Sequence, residues 1–400
     1  MLRATLLDVT RSLSRIGQGP ATGIDRVEAA YIRHFLSLDG PRFFIARVAG
    51  GFVLLDRDGM AKLNPIVQGN IQPGRRDFRS MFYRRINAMA ARAQSDARRL
   101  SFARCPHAGL AAMLARHIPK DFAYLNIGHS NRKPELWAAI RAGGAGKVFA
   151  MLHDTIPLDW PQYSREGLAE RFAEELKATI AASDAIICNS QDTKASVQRW
   201  AQRWEMVADL RVILLGCDPL PRPPAEPVAT QNPEFVVLGT IEPRKNHALL
   251  LDVWAQLADA ATAPQLHIIG RRGWLNAAVF ARLDNDPMMG RSVFEHGALD
   301  DKALGHRLAR ARALLFPSFA EGYGYPLVEA LQMGIPVICS DLPVFRELAG
   351  SAATYLPTDD PDAWLDAIRK YSLIRPQPPA KIDFPSWDSH FSIIDDYCSQ

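Results

Sequence analysis

The chain has 400 residues, 47 Lys and Arg against 43 Asp and Glu, a formal net charge of +4 and a hydrophobic fraction of 48%. That length exceeds what one core normally supports, so two domains are expected, and the charge is too mild to argue for nucleic-acid binding. Cysteines 105, 188, 217, 339 and 398 lack a C-x-x-C pair or zinc spacing, which excludes a disulfide scaffold or zinc module and fits a reducing, cytoplasmic compartment.

The first half alternates apolar β-rich runs with helical patterns, the mark of βα units and a parallel sheet. ATLLDVT (4–10) leads into a loop bearing Gly17, Gly19 and Gly23 and then a helix opening near Ile24. RFFIARV (42–48) follows, then a basic segment, 74–105, with nine arginines against two aspartates, interleaved with Phe78, Met81, Phe82, Tyr83, Ile86 and Met89. Such a surface suits anionic lipid headgroups or a lipid-diphosphate; the competing reading is a solvated helix whose arginines pair internally. FAYLNIG (122–128) places Asn126, His129 and Ser130 at a strand end, and KVFAMLHD (147–154) does the same for His153 and Asp154. AIICNS (185–190) and RVILLG (211–216) complete this half. No G-x-G-x-x-G follows any strand, which argues against a nicotinamide enzyme.

Residues 217–234 carry six prolines and little periodicity, a linker signature. The expected boundaries are a first domain over 1–218, a linker over 219–233 and a second domain over 234–384. A terminal helix over 385–400 is expected to complete the first. No run reaches the roughly 18 apolar residues of a membrane span, and the N-terminus is too weakly apolar for a signal peptide.

The second half restarts with EFVVLGT (234–240) and turns through EPRKN (242–246) into a helix. This sets Arg244 and Lys245 at the carboxyl end of a strand, where open α/β sheets bind ligands. A planar guanidinium beside a compact ammonium suits a diphosphate. LHIIG (266–270), SVFEHG (292–297), ALLFPS (313–318) and IPVICS (335–340) follow. Between the last two, Gly322 and Gly324 allow close backbone approach, and Pro326 opens a helix whose free amides attract an anion. Glu321 in the loop and Glu329 on the helix would be repelled by phosphate, so they are expected to accept hydrogen bonds from neutral hydroxyls. Asp284, Asn285 and Asp286 form a D-x-D pattern in an expected loop away from the strand ends, and no metal is assigned to it.

EPRKN, the E-x7-E spacing of Glu321 and Glu329, and the run from Phe294 to Pro343 resemble the family 4 glycosyltransferases, strongly over 235–350 and more weakly through the first half. The resemblance implies a GT-B fold, two Rossmann-like α/β domains with parallel sheets facing an interdomain cleft. By that likeness Arg244 and Lys245 grip the diphosphate, Glu321 the donor sugar and Glu329 the ribose. Tyr323, Gly324 and Tyr325 lie along sugar and phosphate, His296, Gly297 and Leu299 beside the base, Gly23 near the donor phosphate, and His153 near the transferred sugar. The implied activity is retaining, metal-independent transfer of a hexose to a glycan or lipid-linked glycan in surface-polysaccharide synthesis at the inner membrane face. No cofactor is implied beyond the nucleotide sugar itself. GDP-mannose or a GDP-deoxyhexose is the first expectation for the donor, from the likeness to mannosyl- and rhamnosyltransferases. A sugar-nucleotide epimerase of the same fold and a non-catalytic assembly subunit are the alternatives.

Overall fold

The computed structural model describes residues 4–19, 21–78, 80, 87–223, 232–257, 263–374 and 376–399. The first sheet contains β1 (Thr5–Asp8), β2 (Arg42–Val48), β3 (Gly51–Leu55), β4 (Ala103–Cys105), β5 (Phe122–Asn126), β6 (Ala145–Leu152), β7 (Ala185–Cys188) and β8 (Leu210–Val212). The second contains β9 (Glu234–Leu238), β10 (Gln265–Ile269), β11 (Val293–Gly297), β12 (Ala313–Phe316), β13 (Val337–Ser340) and β14 (Thr354–Leu356). Helices connect the parallel neighbours, and β1, β5 and β7 are buried along their whole length, as strands covered on both faces must be.

The strand orders are β4-β3-β2-β1-β5-β6-β7-β8 and β11-β10-β9-β12-β13-β14. The second sheet is parallel throughout its registered pairs. The first departs from the all-parallel expectation at one edge, where β3 pairs antiparallel with β2 and β4 antiparallel with β3. The chain after Val48 turns tightly through Ala49 and Gly50, the latter at φ +85°, too short a connection for a crossover helix.

Each sheet has a point where chain order reverses, between β1 and β5 in the first and between β9 and β12 in the second. Ligands of doubly wound sheets sit outside the carboxyl ends of the strands at such points. The two reversal points face each other across a closed cleft. Tyr323 donates from its hydroxyl to Leu215 O at 2.8 Å, and Ser190 and Thr193 both donate to Gly322 O at 3.2 Å. A side chain on Gly322 would collide with His153 O, so a glycine is required there for the two backbones to meet.

The terminal helix Trp387–Ser399 packs on the first-domain helix Gly23–Ser37. Tyr31 and His390 share a 2.8 Å hydrogen bond, His34 stacks on Phe391 with ring centres 3.9 Å apart, and His390 Nδ1 donates to Leu214 O at 2.9 Å. No helix among the described residues is long and apolar enough to cross a membrane.

The basic segment divides. Arg79, Arg84, Arg85, Met81, Phe82, Tyr83 and Ile86 lie outside the described residues. Within the described part, internal pairing accounts for four arginines, among them Arg76, which donates to Ser80 O at 2.8 Å. Arg98 is buried and grips Asp77 through two hydrogen bonds, Arg99 pairs with Asp96, and Arg92 donates to Gly74 O at 2.6 Å. Arg75 and Phe78 are exposed.

Candidate active site

The cationic centre grows from the end of β9. After Gly239 the chain makes one 3-10 turn, Pro243–Lys245, and Asn246 at φ +54° redirects it into the helix His247–Leu257. This turn points both cations toward the neighbouring β12 loop. Arg244 is held as a fork: Glu242 accepts from its Nε and Nη2 at 3.1 and 2.6 Å, and Ala320 O accepts from Nη1 at 2.7 Å. Glu321 closes the group, 2.8 Å from Arg244 and 2.6 Å from Lys245. Lys245 also lies over the Phe316 ring, 4.8 Å from its centre.

The sequence expectation kept Glu321 apart from diphosphate charge, whereas here it neutralises the two cations directly. Burial pushes the Glu321 carboxyl up, but Arg244 and Lys245 outweigh it and hold the carboxyl at about 2. Lys245 moves down from the usual lysine range, through burial and the adjacent Arg244, against the pull of Glu321. Arg244 is raised, its burial being overcome by Glu321 and Glu242. An anion arriving beside these two side chains competes with a carboxylate already in place.

Glu329 occupies a separate position. The helix Tyr325–Gln332 starts after Gly324, whose φ of +117° suits glycine alone, and presents Glu329 to the first domain. There Arg26, one turn into the helix Gly23–Ser37, pairs with Glu329 and, at 2.7 Å, with Asp301. Burial raises Glu329 more than Arg26 lowers it, so the ion pair does not fully offset the cost of enclosing this carboxylate. Gly23 opens the same helix against the Tyr325 ring, and Arg271 donates to Gln18 O, holding the glycine-bearing loop onto the second domain.

His153 and His129 stand at the ends of β6 and β5 with ring centres 4.9 Å apart. His153 Nε2 donates to Ile127 O at 2.7 Å, which fixes its proton on Nε2 and leaves Nδ1 as an acceptor. Burial lowers His153 to about 4, so the ring is neutral and accepts from a hydroxyl rather than donating to one. His129 Nε2 accepts from His153 N at 2.9 Å, and burial depresses it as well. Asn126 donates to Ser130 O at 3.0 Å, so its amide serves the loop. Asp154 accepts from Ile156 N at 3.1 Å, and its carboxyl is raised by burial against the pull of Arg244.

Arg244, Lys245 and Glu321 are thus in contact, and Tyr323, Gly324, Tyr325 and Glu329 line the adjacent helix start. His296 and Gly297 end β11 and Leu299 follows it, two strands from β9 in the same sheet. His296 shares a 2.8 Å hydrogen bond with His267, which lies 3.6 Å from Glu234. Asp284 and Asn285 end the helix Ala277–Asn285 rather than lying in a loop, and Asp284 pairs with Arg272 at 2.7 Å. Among the described residues no group of three or more His, Cys, Asp or Glu side chains is placed to hold a metal ion.

Arg26 and Glu242 are the site residues that sequence reasoning missed. Arg26 carried a signal, since a cation near a helix N-terminus opposes the dipole and calls for an anionic partner. Glu242 had none beyond its place in EPRKN.

Residues 223–380 match the family model described as glycosyl transferases group 1. The serotype-specific mannosyltransferase WbdA of Escherichia coli is 32% identical over 263 residues, covering 61% of this chain and 32% of that protein. The O-antigen chain mannosyltransferase B of Escherichia coli is 29% identical over 229 residues, covering 54% of this chain and 59% of its own. The chain therefore spans about a third of WbdA and over half of the second relative. Among solved structures, Anabaena HepE in complex with UDP and glucose superposes with a TM-score of 0.64 over 100% of both chains at 13% identity. WaaG, a glycosyltransferase involved in lipopolysaccharide biosynthesis, gives 0.51 over 72% of this chain and 90% of its own at 14% identity. At such identities the likeness establishes a shared GT-B fold.

Proposed function

We propose that the chain, whose residues 223–380 match the group 1 glycosyl transferase model within a GT-B fold, transfers a hexose from a nucleoside diphosphate sugar to a glycan or lipid-linked glycan. The observation that carries the reading is the convergence of Arg244, Lys245 and Glu321 at the reversal point of the second sheet, beside a helix start bearing Glu329. Two buried cations suit a leaving diphosphate, and Glu321 and Glu329 suit the hydroxyls of sugar and ribose.

In this reading the acceptor oxygen bonds to the anomeric carbon as its bond to the diphosphate oxygen breaks, and the hydroxyl proton passes to the departing diphosphate. Both groups meet one face of the sugar, so configuration is retained. The enzyme supplies positioning and charge stabilisation, with the cations rather than a bound metal taking the diphosphate charge. Mannose from GDP-mannose is the first donor, supported by the mannosyltransferase names of both Escherichia coli relatives. Surface-polysaccharide synthesis places the reaction at the inner face of the membrane, with exposed Arg75 available to anionic lipid. A panel of nucleotide sugars scored by nucleotide release with a membrane extract tests the reading. Turnover restricted to GDP-mannose supports it fully, turnover with another donor corrects the sugar, and no turnover with any donor rejects it.

A further inference from the structure

Beside the cationic centre the two domains enclose a cavity of about 180 Å3. Its first-domain wall is the Asp154–Trp160 loop and the start of the helix Gln191–Arg203; its second-domain wall is Phe319–Glu321 with Leu342 and Pro343. The charged side chains lining it are Asp154, Asp159, Asp192 and Glu321 against a single cation, Arg199. That balance repels phosphate, so the cavity does not duplicate the diphosphate site next to it.

Three of these carboxylates are already engaged. Asp159 accepts from the Trp200 indole at 2.9 Å and from the Thr155 hydroxyl, Asp154 from Ile156 N, and Glu321 from Lys245. Asp192 is different: among the described residues its half-buried carboxylate accepts no hydrogen bond. Burial raises its pKa, as expected of a carboxylate short of donors. The second ingredient is aromatic. Trp160 stacks on Tyr163 with ring centres 5.9 Å apart, and Tyr163 stacks on Phe319 of the second domain at 5.3 Å, which makes a ladder across the cleft. Trp160 ends the ladder at the cavity and is 38% exposed.

An aromatic face beside one carboxylate that accepts no hydrogen bond fits a neutral polyol, whose C–H face lies on the ring and one of whose hydroxyls donates to Asp192. At about 180 Å3 the cavity has room for one sugar ring. We propose that this cavity is the subsite for the terminal sugar ring of the acceptor, a neutral hexose seated on Trp160 with a hydroxyl on Asp192. Glu321 forms part of both this wall and the donor centre, so the ring is held next to the transferred sugar. The proposal rests on the glycosyltransferase reading for its role, though not for the binding itself.

The test uses the full chain with methyl α-D-mannopyranoside and methyl α-D-glucopyranoside as probes, read by saturation-transfer NMR, and GDP and UDP titrated separately by calorimetry. The expected result is binding of a pyranoside to the wild type that weakens roughly five- to tenfold in Trp160→Ala and in Asp192→Asn, with nucleotide affinity unchanged. Pyranoside binding that is absent from the wild type, or equal in wild type and both variants, overturns the subsite. So does stoichiometric calcium binding that Asp192→Asn abolishes, which would make the cavity a cation site. Pyranoside binding dependent on Trp160, together with no binding of either nucleotide, upholds the sugar site and removes the donor reading instead.

Discussion

Glu321 and Glu329 differ in what they touch, and that difference sets what the loss of each should cost. Glu321 is locked between Lys245 and Arg244, whereas among the described residues Glu329 pairs with Arg26 from the opposite domain alone. With Glu321 on the transferred sugar, Glu321→Ala should lower kcat through misalignment, and Glu329→Ala should chiefly raise the donor KM by removing a contact common to ground and transition states. Initial rates against donor concentration at saturating acceptor separate the two, and the opposite split would mean the roles are exchanged. A second residue-level prediction concerns Glu28, fully buried with Oε1 unpaired and Ser12 N donating to Oε2 at 2.5 Å. Burial raises its carboxyl to about 8, with Asp8 adding to the effect. The folded state therefore holds a proton that the unfolded chain releases above about 4.5, so stability should fall between about pH 4.5 and 8, by up to about 1.4 kcal/mol per pH unit. Glu28→Gln, neutral throughout, should flatten that decline in urea denaturation at pH 5 and pH 8; an unchanged slope would show that Glu28 is ionised in the fold.

The loop and helix between β1 and β2 act as one element, fastened to the second domain by Arg26 at the helix start and by Arg271 on Gln18 O. Arg26 occupies the carboxylate assigned to ribose, so donor binding must rearrange this contact. Arg26→Ala leaves Glu329 enclosed without its cation and should destabilise the chain by about 1–2 kcal/mol, less than a fully buried pair because Arg26 is one-third exposed. Adding Glu329→Ala should then cost little more, since the two share one interaction. Additive losses in a denaturation cycle would show the residues to be independent. This element also shows where sequence reading stops. The Gly17, Gly19 and Gly23 pattern marked a loop and the apolar spacing after Ile24 marked a helix, because both signals are local. The pairing of Arg26 with a residue more than three hundred positions away depends on how two domains close, and no local period encodes that. Likewise EPRKN and E-x7-E were legible as motifs, while the neutralisation of their cations by Glu321 was not. Glu321 stands 76 positions from Lys245 in the chain, so their contact, too, depends on tertiary folding. The antiparallel β3 and β4 escaped because GFVLL and ARC are short, and β3 follows β2 with no helix between them.

Across the whole molecule, two sheets set their reversal points face to face, with the Gly322 backbone packed against His153 O. The second domain contributes Arg244, Lys245 and Glu321, the first contributes the His153 imidazole, and the aromatic-lined cavity has a wall from each. Two α/β domains were legible in the sequence because βα alternation on each side of a proline-rich break is a repeated signal, whereas the GT-B arrangement followed only from the family resemblance carried by EPRKN and E-x7-E. The depth of closure depends on single contacts such as Tyr323 to Leu215 O. The central claim is that the centre formed by Arg244, Lys245 and Glu321 receives a nucleoside diphosphate. Calorimetric titration of GDP and UDP into the wild type and Lys245→Ala tests it most directly. The account predicts one equivalent of one nucleotide bound by the wild type, and affinity at least about tenfold weaker in a folded Lys245→Ala, as loss of a charge-assisted contact to phosphate should produce. Equal affinity in the two proteins, or no binding of either nucleotide to the wild type, would contradict it.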